Sequence, residues 1–105
     1  MNKNTRIMFL RNRNNHTIGC VAMQLSPRGK TVKYQVSTVN PVDKFDRNLA
    51  KHIALGRLVD EPVVLKSDEP LSMSDLAYAV MHDVFRNKEL PTRARKSARR
   101  WLARG

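Results

Sequence analysis

Acidic side chains are scarce: nine aspartates and glutamates stand against twenty lysines and arginines, for a formal charge of +11 and a pI near 10.7. That imbalance goes far beyond what solubility needs, and it predicts a polyanionic partner, with DNA or RNA foremost. Cys20 is the single cysteine, so no intramolecular disulfide can form, which fits a reducing compartment. No cysteine and histidine pattern has zinc spacing, so neither metal nor cofactor is expected. Long apolar runs are also missing. Ile7-Met8-Phe9-Leu10 is too short for the core of a signal peptide, and no stretch approaches the length that crosses a bilayer. A cytoplasmic protein without membrane association is the expectation.

Catalytic groupings are equally thin, and no enzymatic activity is expected. His16, His52 and His82 are scattered along the chain. His52 lies at the edge of an apolar helical stripe and reads as a partly buried structural histidine. His82 and Asp83 are neighbours on a presumed helix, so their side chains diverge. Arg28-Gly29-Lys30 lacks the glycine spacing that lets successive amides cradle a phosphate.

What is present suffices for one domain: 105 residues, of which 41% are hydrophobic. Three runs, Arg6 to Arg11, His16 to Leu25 and Thr31 to Val39, read as an antiparallel meander separated by polar and glycine-containing turns. Val32, Tyr34 and Val36 alternate with Lys33, Gln35 and Ser37, the period of a strand with one buried face. In the first run Ile7 and Phe9 point one way while Met8 and Leu10 point the other. Such a strand needs either a central place in the sheet or a second covering layer.

Asn40, Pro41 and Asp43 supply a helix start, followed to Leu58 by Val42, Phe45, Leu49 and Ile53 as the buried stripe. Val63-Val64-Leu65-Lys66 is a short fourth strand or a packed loop. Ser72 and Asp75 form a capping box for a helix from Met73 to about Asn87. Its wide apolar arc, with Met81, Val84 and Phe85, calls for a further helix or a second subunit. From Pro91 to Leu102 the chain is helix-permissive. The expected fold is α+β in the order β-β-β-α-(β)-α-α, a sheet with two or three helices on one side. Residues 1–90 form the domain, and residues 91–105 a basic helix or arm attached to it.

Charge is segregated along the chain. Residues 1–59 hold eleven basic and two acidic side chains, residues 60–89 hold three and seven, and residues 90–105 hold six and none. Concentrated cations suit phosphate contact, whereas solubility alone would intersperse the signs. The candidate phosphate contacts are Arg93, Arg95, Lys96, Arg99, Arg100 and Arg104 in the last segment and Arg11, Arg13, Arg28 and Lys30 in the two turns. Lys33 on the wet strand face and Lys44, Arg47 and Lys51 along the first helix complete the set. Trp101 and Tyr34 could stack on bases, but Tyr34 shares its face with Val32 and Val36 and reads as core.

The run from Asn40 through Asp43, Phe45, Ile53, Ala54, Gly56 and Arg57 to Leu58 resembles a pattern in short basic proteins of tailed bacteriophages. This resemblance spans about a fifth of the chain and implies a cytoplasmic role in an infected bacterium, without assigning any site residue. A meander followed by a helix also resembles DNA-binding folds that read a groove with a small sheet, and the carboxyl half of double-stranded-RNA-binding domains. Three functions compete: a nucleic-acid-binding protein with little base specificity, a takeover or anti-defence factor gripping an acidic host protein, and a homodimeric structural protein.

Overall fold

Strands form where alternation and turn chemistry place them: β1 (Thr5–Arg11), β2 (Thr17–Leu25) and β3 (Thr31–Thr38). The structure is a computed structural model, and it describes residues 4–39 and 44–104. In the first turn Asn12 Oδ1 accepts the N–H groups of Asn14 and His16, each at 2.9 Å, and Asn15 takes φ 65°, a conformation asparagine tolerates. In the second, Gly29 takes φ 76°, and the Thr31 N–H donates to Ser26 Oγ at 3.1 Å. Val63–Lys66 is a strand, β4, and completes an antiparallel sheet of order β1-β2-β3-β4. Three helices follow in the chain, α1 (Arg47–Asp60), α2 (Met73–Arg86) and α3 (Thr92–Arg104), with β4 between the first two.

Both faces of the sheet are covered, which corrects the expectation of helices on one side. Met8, Leu10, Val21, Met23, Tyr34 and Val36 pack against α2 and α3, chiefly through Leu76, Val80, Met81, Val84, Ala94 and Ala98. On the opposite face Ile7, Phe9, Cys20 and Ala22 pack under Ala50, Ala54 and Leu58 of α1. The doubled apolar pattern of β1 is thereby explained. It is an edge strand with a layer on either side.

α1 begins later and sits differently than its apolar spacing suggests. Asn40, Pro41, Val42 and Asp43, the expected helix start, lie outside the described residues. The cap of α1 is Asp46, whose Oδ1 accepts the Leu49 N–H at 3.1 Å. Leu49 and Ile53 are 55% and 36% exposed, so the buried stripe is Ala50, Ala54 and Leu58 instead. Small residues meet small residues here. The Cys20 thiol donates to Ala50 O at 3.2 Å, an approach that a leucine or isoleucine facing the sheet would hold apart.

α2 starts as its signature predicts. Ser72 Oγ accepts from the Asp75 N–H at 3.2 Å, and Asp75 Oδ2 accepts from the Ser72 N–H at 3.3 Å. Its apolar arc is largely used internally, because Met81 and Val84 are buried in the core, whereas Phe85 is exposed. α3 is part of the same core. Ala94, Ser97 and Ala98 are buried, and Trp101 and Leu102 pack against the cluster.

Gly19 marks a close backbone approach in the sheet. A Cβ there would lie 2.0 Å from Ser37 O and 2.9 Å from Thr38 Cα, both backbone atoms that cannot swing aside. Gly19→Ala is expected to destabilise the fold by about 3 kcal/mol or more, a fall in Tm of roughly 12 °C or more. Thermal denaturation followed by circular dichroism checks it, and a Tm within about 2 °C of wild type would contradict this close β2–β3 contact.

Candidate nucleic-acid interface

A gathering of cations lies at the outer edge of β1. Pairing of β1 with β2 shifts register between Leu10 and Arg11, and the part-buried Arg11 N–H donates to Ser97 Oγ at 3.0 Å, which satisfies an edge-strand amide. That bond ties α3 to the strand. One turn earlier Arg93 Nη1 donates to Val39 O, just past the end of β3, so α3 crosses from the end of β3 to the edge of β1. Beyond Ser97, residues Arg100, Trp101 and Arg104 line a groove of about 170 Å³ together with Phe9, Arg11 and Met81.

Charge and aromatic surface alternate around this groove. The Arg47 guanidinium lies over the Phe9 ring, 4.4 Å from its centroid, a favourable cation–π geometry. Phe45 meets the same ring edge-on at 6.2 Å between centroids. On the far wall Trp101 packs on Tyr78, with centroids 5.0 Å apart and ring planes at 58°. Arg100 Nε is buried without a hydrogen-bond partner among the described residues.

Three of the fourteen cations singled out in the sequence, Arg11, Arg100 and Arg104, therefore line the groove, and a fourth, Arg47, lies over the Phe9 ring in its wall. Arg13 is exposed in the adjoining turn. Among the described residues the side-chain hydrogen bonds of Arg11, Arg93 and Arg95 go to carbonyls: Arg11 Nη1 donates to Asn15 O at 3.3 Å, Arg93 to Val39 O, and Arg95 Nε to Phe85 O at 3.3 Å. Their charge is thus not cancelled by those bonds. Lys96 and Arg99 are exposed on α3.

Arg28, Lys30 and Lys33 are not brought there, so the two turns do not share one surface. Thr5 pairs with Gln24 and Arg11 with Thr17, which puts the Arg28–Lys30 turn at the opposite end of the strands, about 20 Å along β1. That turn packs on the acidic segment, through the Ser67 N–H to Lys30 O and the Leu71 N–H to Gly29 O, each at 2.8 Å. Lys33 borders a separate cleft with Asn4 and Gln24. Lys44 flanks a cleft beside Leu49 and Ile53. Lys51 is half-buried, and its charge reaches Cys20.

Phe9 has a place in the groove that its reading as a plain strand residue did not include. Its signal was the spacing to Arg11, because residues two apart on a strand share a face. Ser97 carried no signal, since its partner lies 86 residues away.

Cys20 and Tyr34 are held in their protonated, structural forms. Burial pushes the Cys20 thiol up to about 11, outweighing the opposing charge of Lys51. Burial, and then a 2.5 Å hydrogen bond to the Asp83 carboxylate, raises the Tyr34 hydroxyl well above its ordinary value. Tyr34 is core, as its strand face suggested. His52, expected to be partly buried, is exposed, because α1 is turned from the orientation its leucine and isoleucine spacing indicated. His82 and Asp83 both border a cleft of about 340 Å³ between α2 and β4. Among the described residues no cluster of His, Cys, Asp and Glu could hold a metal ion, and no helix is long and apolar enough to cross a membrane.

The fold and the groove define a basic α+β protein in which Arg11, Arg100 and Arg104 meet at one sheet edge. Compared with protein-family models, with curated proteins and with solved structures, the chain matches none.

Proposed function

We propose that the chain binds nucleic acid, holding backbone phosphates in the groove at the edge of β1 and drawing affinity mainly from counterion release. The observation that carries this is the meeting of Arg11, Arg100 and Arg104 with Phe9 and Trp101 in one groove, with Arg47 lying over the Phe9 ring. Guanidinium groups suit phosphate because their planar donors meet two oxygens at once. Contacts of this kind position a strand without reading its bases, so sequence selectivity is small.

Binding to random-sequence oligonucleotides across a salt series tests the proposal. Four arginine–phosphate contacts displace roughly 0.7 to 0.9 counterions each, so log affinity is expected to fall against log salt with a slope near −3, about 60-fold between 50 and 200 mM. Absence of binding at low salt, or affinity indifferent to salt, refutes it. A nuclease-treated pull-down that still returns one acidic protein in stoichiometric amount, with no oligonucleotide binding, would favour the host-protein role instead.

A further inference from the structure

We propose that the β1-edge groove accepts a single strand, with an unpaired base laid against Trp101 while Arg100 and Arg104 hold its phosphate. This deepens the nucleic-acid reading and rests on it. The groove is small, about 170 Å³, roughly the share of five or six waters in the liquid. It suits one planar ring system better than a stacked pair. Its lining sets an aromatic surface beside guanidinium groups, the combination that single strands use, because a base exposes its face only when it is unpaired. In a duplex those faces are stacked on one another and only base edges and phosphates reach a protein. Duplex binding would therefore make no use of Trp101.

Two further observations point the same way. Tyr78, 48% exposed, packs on Trp101 and extends its aromatic surface, and the Arg47 guanidinium lies over the Phe9 ring that lines the groove. A guanidinium plane is itself a stacking surface for a base. Arg100 Nε, buried and without a partner among the described residues, is a donor of the kind that proteins rarely leave unpaired, and a phosphate or base oxygen entering the groove would satisfy it.

Trp101 is the single tryptophan, so the intrinsic fluorescence of the full chain reports this wall of the groove. Three probes are titrated: a mixed-sequence single-stranded DNA of about 16 nucleotides, a blunt hairpin duplex of equal charge, and heparin, a polyanion without bases. The expected result is strong quenching by the single strand, with affinity at least about ten-fold above that for the duplex, and binding of heparin with little change in emission. Equal or tighter duplex binding, single-strand binding that leaves the emission unchanged, or equal quenching by heparin overturns the single-strand assignment while leaving phosphate binding intact. Failure of both oligonucleotides to bind at low salt overturns the underlying reading as well. Trp101→Leu, checked for a native melt and followed by anisotropy of a labelled strand, is expected to lose about ten-fold in single-strand affinity and little in duplex affinity. Because the wild-type titration decides the matter by itself, a poorly folded variant leaves the test standing.

Discussion

A chain ending at Pro91 is expected to lose cooperative melting altogether. The basic composition of residues 92–105 invites their removal as an appendage, yet α3 fills the core with Ala94 and Ala98, both fully buried, and lays Trp101 and Leu102 against it. Ser97 also supplies the acceptor for the Arg11 amide at 3.0 Å, which deletion would strand at the edge of β1. Losing the Trp101 and Leu102 packing alone costs on the order of 5 kcal/mol, comparable with a whole domain stability of about 5 to 15 kcal/mol. Near-ultraviolet circular dichroism and dye binding to exposed apolar surface provide the measurement. A truncated chain that melts in one sharp transition with native spectra would show that the sheet and α2 stand without this helix.

Charge can be removed without removing the helix, and that experiment isolates the groove. Arg11→Gln, Arg100→Gln and Arg104→Gln combined are expected to weaken oligonucleotide binding by about 100-fold or more near 0.1 M salt and to reduce the salt slope from about −3 to about −1. Stability should change little. Among the described residues the Arg11 side chain bonds Asn15 O in the exposed turn, the Arg11 amide that meets Ser97 is backbone, and Arg100 Nε has no hydrogen-bond partner. Arg28→Gln with Lys30→Gln provides the control, since it removes two charges at the far end of the strands and is expected to change affinity by less than about three-fold. Should the distant pair matter as much as the groove arginines, net charge rather than a local site governs binding, and the proposed interface fails.

Much of the architecture is written in local chemistry. Asn12 and Gly29 close the hairpins through bonds spanning a few residues, and Ser72 and Asp75 start α2 within one turn. Such signals are legible because both partners lie within the same short window of chain. The orientation of α1 was not legible. Leu49 and Ile53 have the right spacing for a buried stripe, but the face they would meet is lined by Cys20 and Ala22 beneath Ala50 and Ala54. Close backbone approach on small residues outweighed the burial of larger ones, and only the partner surface reveals it.

The site shows the same division. Scarcity of acidic residues and the gathering of arginines toward the end of the chain point to a polyanion before any coordinates are known, because electrostatic attraction depends on how much charge there is and of which sign. Which arginines act together depends on distance, and distance follows from long-range packing. β1 lies at an edge, its register shifts at Arg11, and α3 is drawn across it by the burial of Ala94 and Ala98. Those contacts join residues nearly the whole chain apart, so they place Arg100 and Arg104 beside Arg11 and leave Arg28 and Lys30 beyond reach.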